Sequence, residues 1–356
     1  MLSLFRKKSP TLLGIDISST SVKLLELSQT GNRYRVETFA VGSLARDVVT
    51  EKRIADPDKL AETITQVVQQ SKTKNRHAAA AMSDSSVITK VVQMNAGLSD
   101  VEIENQITYE ADKYIPYPLE EVSLDFTNLG ETPNHPGSND ILLVASRSEN
   151  VQEREESFEK SGLLLRVLDV ESYAMERAVA LLDDQPVPED DKIIAIFDIG
   201  ALVTNLTVLS GGVTIFSREE WFGGDELITN IASHYEMPRR DALNALRQKT
   251  LPDDFRHALL MPFIDGVVLQ VRRALQFFFS ASQYSEIHRV VLAGGSANLP
   301  GLSDLITDQM GIETVIANPF RHMEIAKQVN AQELEMLAPS LMICCGLALR
   351  SFIQDT

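Results

Sequence analysis

The sequence is poor in residues that form disulfides or bind zinc. Its 356 residues include 2 cysteines, Cys344 and Cys345, and adjacent cysteines rarely meet disulfide geometry. It contains no CxxC motif and no cysteine–histidine cluster, which excludes the usual zinc sites. Both cysteines lie in an apolar stretch, so we expect two small buried side chains on a helix.

Positive charge is also scarce. The chain has 33 Lys+Arg against 50 Asp+Glu and a formal net charge of -17. The longest basic run is only residues 6–8, Arg-Lys-Lys. Surfaces that bind nucleic acid or anionic lipid need a larger basic cluster. We therefore expect no nucleic-acid partner.

Long apolar runs are missing as well. The longest fall well short of the roughly 18 residues of a membrane-spanning helix, and residues 1–8 lack the apolar core of a secretion signal. With 44% hydrophobic and 23% charged residues the composition is that of a globular protein. We expect a cytoplasmic protein without a membrane span, built as two domains or one bilobal body.

The familiar nucleotide and nucleophile motifs are absent too. The chain has no GxxxxGK[ST], which excludes a Walker-type site, and no GxGxxG to support a Rossmann site. It also has no GxSxG, and its 6 histidines are scattered. The charged, proline-containing residues 183–191 predict an interdomain linker. A capping-box pattern, Ser99 with Glu102, predicts a helix start.

One pattern occurs on both sides of that linker. Residues 13–23 and 196–205 each contain an apolar strand, an aspartate (Asp16 or Asp198), a turn of small residues and a strand leading away. Small residues let the backbone approach phosphate, and aspartate holds hydrated Mg²⁺. Residues 290–301 add a buried strand ending in Gly294 and Gly295, which permits close approach of a flat ring.

Two phosphate hairpins followed by a strand-Gly-Gly motif resemble the superfamily of actin, heat-shock chaperones and sugar kinases. Three further stretches resemble the PilM family of actin-like type IV pilus assembly proteins. They are residues 14–23, then residues 97–100 with 110–121, which include Tyr-Ile-Pro-Tyr-Pro at 114–118, and in the tail residues 318–320, 338–343 and 346–352. The resemblance covers essentially the whole chain.

The resemblance implies an α/β, bilobal actin-like fold with an inserted 1C subdomain placed as in the division protein FtsA. It divides the chain into four subdomains: 1A at residues 1–85, 166–190 and 337–356; 1C at 86–165; 2A at 191–222 and 286–336; 2B at 223–285.

It also implies ATP and Mg²⁺ between the lobes, with Mg²⁺ held through water by Asp16 and Asp198. Glu171 and Asp198 would be the catalytic pair, Glu171 as the acid that positions water; an exposed Glu that opens a helix is the alternative. Ser18 stands where much of the superfamily has Gly, so we expect crowding and at most slow hydrolysis. The nucleotide contacts implied are Asp16, Ser19, Thr20, Ser21 and Lys23 in the first hairpin, Asp198, Gly200 and Thr204 in the second, and Gly224, Asp225, Gly294, Gly295 and Ser296.

The partner implied is the cytoplasmic N-terminal tail of the membrane protein PilN, in a groove between 1A and 1C. The chain would then lie at the inner membrane through its partner and serve pilus biogenesis and twitching motility, with pilus motor ATPases and further copies of itself as additional partners. Tyr114 and Tyr117 suit peptide docking, and a purely structural turn is the alternative.

Two other functions remain open. A small-molecule kinase of this superfamily would need a substrate constellation that the sequence does not show. An FtsA-like filament protein would need a basic amphipathic C-terminal helix, and residues 350–356 do not have that character.

Overall fold

The structure is a computed structural model that describes residues 11–110, 113–133, 135–182 and 192–353. The predicted linker at residues 183–191 and the basic residues 6–8 lie outside these ranges.

The described residues of the first half of the chain form ten strands and four α-helices. In order these are β1 (Leu13–Ile17), β2 (Ser21–Thr30), β3 (Arg33–Ser43), β4 (Val49–Thr50), β5 (Arg53–Ile54), α1 (Pro57–Ser71), β6 (His77–Met82), β7 (Val87–Asn95), α2 (Asp100–Glu110), β8 (Val122–Glu131), β9 (Ser138–Arg147), α3 (Ser148–Lys160), β10 (Leu164–Val170) and α4 (Glu171–Val179).

The second half, within the described residues, forms six strands and six helices. They are β11 (Ile193–Ile199), β12 (Thr204–Ser210), β13 (Val213–Glu220), α5 (Asp225–His234), α6 (Arg239–Gln248), α7 (Met261–Ala281), β14 (Arg289–Ala293), α8 (Leu302–Met310), β15 (Thr314–Ile316), β16 (Glu324–Ile325), α9 (Ala331–Leu337) and α10 (Met342–Leu349).

Two sheets share one topology. The first has the order β10-β6-β1-β2-β3-β16 and the second β13-β12-β11-β14-β15. Each contains an antiparallel three-stranded meander, β1–β3 or β11–β13, whose first strand also pairs in parallel with a later strand. The internal repeat predicted from the two aspartate motifs is therefore a repeat of structure. We call the first sheet with α1 and α3 the first lobe, and the second with α5 to α8 the second lobe.

Helices α4 and α10 lie between the two sheets. Their side chains share one core with Leu25 of β2, Ile196 of β11 and Val291 of β14. The outer face of the first sheet packs on α1 and α3, and that of the second on α5, α7 and α8. Because both faces of each sheet are buried, the inner strands β6, β11 and β14 are nearly continuous apolar runs instead of alternating patterns.

Close packing of α10 depends on two glycines. A Cβ on Gly14 would lie 2.1 Å from the carbonyl oxygen of Cys344, and one on Gly346 would lie 1.7 Å from that of Ala174. Cys344 and Cys345 are buried free cysteines, as predicted. The helical stretch Ala331–Phe352 is apolar and long enough to span a membrane by length and composition alone. However, 67% of its apolar 18-residue segment is buried inside the protein.

A small separate layer occupies the chain between β6 and β10. Strands β7, β9 and β8 form an antiparallel sheet on which α2 packs through Ile103 and Ile107. The predicted capping box is present, because Ser99 N donates to Glu102 Oε2 at 2.8 Å and Glu102 N donates to Ser99 Oγ at 3.4 Å. We call this layer the insert.

Candidate functional site

The two predicted hairpins end in turns closed by the same backbone hydrogen bond. Ser18 N donates to Ser21 O at 2.9 Å, and Gly200 N donates to Val203 O at 3.0 Å. Asp16 pairs in register with Lys23, and Asp198 pairs with Asn205. Each aspartate is therefore the residue before the last in its strand. The space between the two turns, bounded by Asp16, Asp198 and Glu171, is called the cleft below.

The first aspartate carries its own counter-ion. Asp16 is only 4% exposed, and its Oδ2 lies 2.7 Å from Lys23 Nζ. Burial alone would lower the pKa of Lys23, but Asp16 and, further away, Asp198 outweigh burial and the pKa is raised. Burial raises the pKa of Asp198, an effect that Lys23 opposes and Asp16 reinforces. Lys23 therefore remains a cation that acts on carboxylates of both lobes.

Glu171 is the first residue of α4 and faces this cleft. Its side chain is 12% exposed, so the alternative of an exposed glutamate at a helix start is wrong. Burial raises the pKa of Glu171 to about 7, against the opposing effect of the Lys52 ammonium. Asn205 Nδ2 also donates to Glu171 Oε2 at 3.4 Å, which connects Glu171 to the second hairpin.

Lys52 is a cleft residue that the sequence did not predict. Its Nζ lies 3.0 Å from Glu171 Oε2 and 3.5 Å from Glu219 Oε1. It lies in the turn between β4 and β5, where Glu51 and Lys52 both have positive φ. Gly or Asn would have indicated such a turn, whereas Glu-Lys carries no such signal.

The glycine motifs meet the second hairpin. Gly294 has a φ of +88°, and a Cβ there would lie 2.5 Å from both Asp198 Oδ1 and Ile199 O. Ser296 N donates to Ile199 O at 3.1 Å, and Gly224 N donates to Gly200 O at 2.9 Å. Three segments that are far apart in sequence thus come together, while Gly295 borders open space.

Several predicted contacts already have partners in the protein. Thr204 is buried and its hydroxyl donates to Phe222 O at 2.8 Å. Asp225 is ion-paired with Arg239 of its own lobe and with Arg46 of the first lobe. Arg46 therefore spans the mouth of the cleft, a contact that no sequence signal indicated.

Within the first turn, side chains close the loop on itself. Ser18 Oγ accepts from Ser21 N at 3.2 Å and lies 3.0 Å from Ser21 Oγ. Ser18 is not among the residues with positive φ, so a serine does not strain the backbone of this turn. Ser19 and Thr20 are half-buried in the same turn, and Thr20 O accepts from Leu44 N at 2.8 Å.

The donor set suits a metal held through water. Within the described ranges, no group of three or more His, Cys, Asp or Glu is placed to bind a metal ion directly. The cleft offers two carboxylates, the buried Asp16, which is bonded to Lys23, and the half-buried Asp198. Mg²⁺ commonly binds proteins through one or two carboxylates while keeping several waters, so these residues fit hydrated Mg²⁺ on a phosphate ligand.

A second concave feature lies between the β4–β5 turn and the insert. This cavity of about 260 Å³, called the groove below, is lined by Glu51, Arg53, Ser85, Tyr117 and Arg147 among others. The Arg147 guanidinium lies over the Tyr117 ring, 4.4 Å from its centroid.

Tyr114 has a different environment. Its hydroxyl donates to Glu110 Oε2 at 2.8 Å, and Lys90 lies over its ring. The ring packs against the hydrophobic core of the insert. Of the two predicted partner-binding tyrosines, the groove therefore includes Tyr117 alone.

Comparisons with known proteins agree with this architecture. The chain resembles a solved PilM-PilN type IV pilus biogenesis complex with a TM-score of 0.78 and 28% identity, over 97% of this chain and 99% of that chain. It also resembles the ethanolamine utilization protein EutJ from Carboxydothermus hydrogenoformans, with a TM-score of 0.57 and 17% identity over 96% and 90% of the two chains, which shows the fold alone.

A family model described as type IV pilus assembly protein PilM matches residues 14–352. That match covers both hairpins, the insert and the two helices between the sheets, α4 and α10. The chain belongs to the PilM family of type IV pilus assembly proteins.

Proposed function

We propose that this protein is a cytoplasmic ATP-binding component of the type IV pilus assembly complex. It binds the cytoplasmic N-terminal tail of PilN, lies at the inner membrane through that partner, and connects it to the pilus motor. The observation that carries the nucleotide part is the pair of aspartates, the buried Asp16 and the half-buried Asp198, on matching hairpins of the two lobes. The family match favours this role over an FtsA-like filament or a small-molecule kinase.

Each group in the cleft has a role in this proposal. Asp16 and Asp198 orient waters of hydrated Mg²⁺, and Lys23 with the turn at Ser19–Ser21 binds phosphate oxygens. Gly200 and Gly224 let backbone approach the ligand, and the Gly294–Ser296 turn accepts the flat ring. Bound ATP would supply the phosphoanhydride bond that water cleaves. Thr204 and Asp225 are already bonded to other residues of the protein. Thr204 therefore supports the second hairpin from behind, and Asp225 supports the mouth of the cleft.

Turnover is proposed to be slow. Glu171 is the acid that would position water, but Lys52 Nζ is bonded to it at 3.0 Å. Asn205 Nδ2 contacts the same oxygen, so Glu171 Oε2 is already occupied and is less available to accept from a water. The protein would then mainly hold Mg·ATP.

Calorimetric titration with Mg·ATP tests the cleft. We expect Asp198→Ala and Asp16→Ala to weaken affinity by about 10- to 100-fold or more, because metal-orienting groups contribute on that scale. Asp47→Ala is the matched control, since Asp47 pairs with Lys59 on the surface of the same lobe. Unchanged affinity in both cleft variants, with native circular dichroism spectra, would contradict the assignment.

The groove is the proposed docking site for the PilN tail. Tyr117 and Arg147 offer a rigid aromatic and a cation, and Arg53 adds a second guanidinium at the opposite wall. Such residues commonly dominate the energy of peptide binding. The four-subdomain division places this groove between 1A and 1C.

Fluorescence anisotropy with a labelled peptide of the PilN cytoplasmic tail tests the docking site. Tyr117→Ala should weaken binding by about tenfold, the usual scale of an aromatic anchor. Tyr109→Ala is the control, because Tyr109 is on the insert but 90% exposed and outside the groove lining. Tyr114→Ala should act through the stability of the insert. Equal affinity of Tyr117→Ala and the unsubstituted protein would refute docking here.

A further inference from the structure

The turn between β4 and β5 has an unusual backbone. Glu51 has a φ of 50° and Lys52 a φ of 65°. Consecutive left-handed residues form a tight hairpin turn that normally carries Asn or Gly. Non-glycine residues keep this conformation only where their surroundings enforce it, and such strain is concentrated at functional sites.

The surroundings that enforce it lie in the cleft. The Lys52 side chain is 19% exposed and its ammonium contacts Glu171 and Glu219. Glu171 begins the helix α4 between the sheets, and Glu219 lies on β13, the edge strand of the second sheet. One ammonium thus bridges both lobes. If it moved away, two partly buried carboxylates would lose their shared counter-ion, which is costly in a protein interior.

The sequence neighbours of Lys52 belong to the groove. Glu51 and Arg53 line it on either side of Lys52 in the chain. Arg53 Nη2 also lies 3.0 Å from Glu149 Oε2 at the start of α3. A single short hairpin therefore contacts the groove with two residues and the cleft with the residue between them.

A second contact between the groove and the cleft involves the Glu219 carboxylate. Ser85 lines the groove, and its backbone N–H donates to Glu219 Oε1 at 3.5 Å. The neighbouring Ser86 O accepts from Ser146 Oγ of β9 at 2.8 Å, so this turn is attached to the insert. Glu219 thus contacts Ser85, which lines the groove, and Lys52, which lies between the two groove-lining residues of the hairpin.

We propose that the β4–β5 hairpin couples the groove to the cleft, with Lys52 as a positioning residue for Glu171 and Glu219. A peptide bound against Glu51 and Arg53 shifts the hairpin and changes where the Lys52 charge lies. Peptide and nucleotide then alter each other's affinity by the same factor, because both bias one element. This inference rests on the proposed function, since it takes Mg·ATP and the PilN tail as the two ligands.

The coupling factor is the quantity to measure. It is the ratio of the Mg·ATP dissociation constants with and without saturating PilN-tail peptide, each from calorimetry on the full chain. We expect at least about fivefold for the unsubstituted protein, the lower end of typical allosteric coupling. Lys52→Met and Glu219→Gln should bring it within about twofold of one, and Lys52→Arg should retain it.

Two further variants allow the coupling factor to be interpreted even if Lys52→Met folds poorly. Glu219→Gln removes a charge but keeps shape and hydrogen-bonding atoms, so it remains informative if Lys52→Met folds poorly. Lys59→Met is the control, because Lys59 is a lysine of the same lobe that pairs with Asp47 and Asp56 on the surface. Its coupling factor should equal that of the unsubstituted protein.

Different results would contradict the coupling inference and the proposed function. If both ligands bind the unsubstituted protein but its coupling factor is close to one, this inference is overturned and the proposed function stands. Full coupling in folded Lys52→Met also overturns it. A peptide that does not bind the unsubstituted protein would overturn both proposals.

Discussion

The β1–β2 and β11–β12 hairpins share a backbone plan but differ in charge. Their turns are closed by equivalent hydrogen bonds of 2.9 and 3.0 Å. At the position paired with the aspartate, the first hairpin has Lys23 and the second has Asn205. Lys23 neutralises Asp16 directly, whereas the Asn205 side chain donates to Glu171. The repeated backbone thus places two aspartates alike, while the cation that serves both comes from one hairpin.

The second hairpin also keeps unused polar capacity. Asn205 Oδ1 is buried and accepts no hydrogen bond from any residue in the described ranges. Buried polar atoms usually have a partner, so an exception marks a place where a ligand or its water can be received. The first hairpin satisfies itself, and the second is the better prepared to meet a ligand.

The largest effect should come from Lys23→Met, which leaves Asp16 buried without its cation. Breaking a buried pair in this way costs about 3–5 kcal/mol of unfolding free energy. Asn205→Leu at the matching position should cost only about 1 kcal/mol, the value of an ordinary hydrogen bond. Urea denaturation measures both. The double variant Asp16→Asn/Lys23→Met should recover most of the loss, and equal losses in the two single variants would contradict the asymmetry.

The next effect concerns Glu171, which the second hairpin contacts. Its pKa is raised from 4.5 to about 7, so stability from its neutral form is full below about pH 4.5 and is lost as pH rises through 7. Relative to Glu171→Gln, the unsubstituted protein should lose about 3 kcal/mol between pH 4 and pH 8.

Denaturation curves across this pH range provide the check. Glu62→Gln, on the exposed face of α1, is the control and should follow the unsubstituted protein. A constant difference between Glu171→Gln and the unsubstituted protein at all pH values would mean that Glu171 is not held in this environment.

A smaller effect is expected from Gly200→Ala. The added Cβ would lie 2.8 Å from Val203 O, which forces the second turn to shift and costs about 1–3 kcal/mol. Gly266→Ala, where nothing lies within 4 Å, should not destabilise the protein. Thermal unfolding of the two variants tests this, and identical midpoints would show that the second turn has room for a side chain.

The smallest effect should come from Ser18→Gly. Loss of the hydroxyl that closes the first turn should cost about 0.5–1.5 kcal/mol, with Ser18→Ala giving a similar value. Mg·ATP affinity should stay within about twofold, because the serine does not strain the turn. Tighter binding by Ser18→Gly would instead support crowding of phosphates by the serine.

Short-range patterns predicted much of this molecule. The two hairpins, the Gly294 turn and the Ser99 capping box depend on residues close in sequence, and each is present as predicted. The buried cysteines followed from an apolar helix. These features are local, so neighbouring residues suffice to determine them.

The features that the sequence did not predict depend on packing between distant parts of the chain. Strand β10 was not predicted, because the residues of β6 with which it pairs lie 87 or 88 positions upstream. Lys52 and Arg46 reach the cleft only through turns without a sequence signal, and Thr204 and Tyr114 have internal partners that their residue types do not disclose. The burial of Glu171 likewise depends on both lobes.

The glycines under α10 limit how the lobes can move. With backbone atoms of β1 and α4 against the helix at Gly14 and Gly346, α10 has no free space in which to slide along either neighbour. Gly294 N also donates to Pro339 O at 2.8 Å, which ties the turn before α10 to the second sheet. Shear between packed helices needs small sliding steps, whereas hinge motion does not. If the cleft opens, we therefore expect rotation about α10 without sliding of that helix.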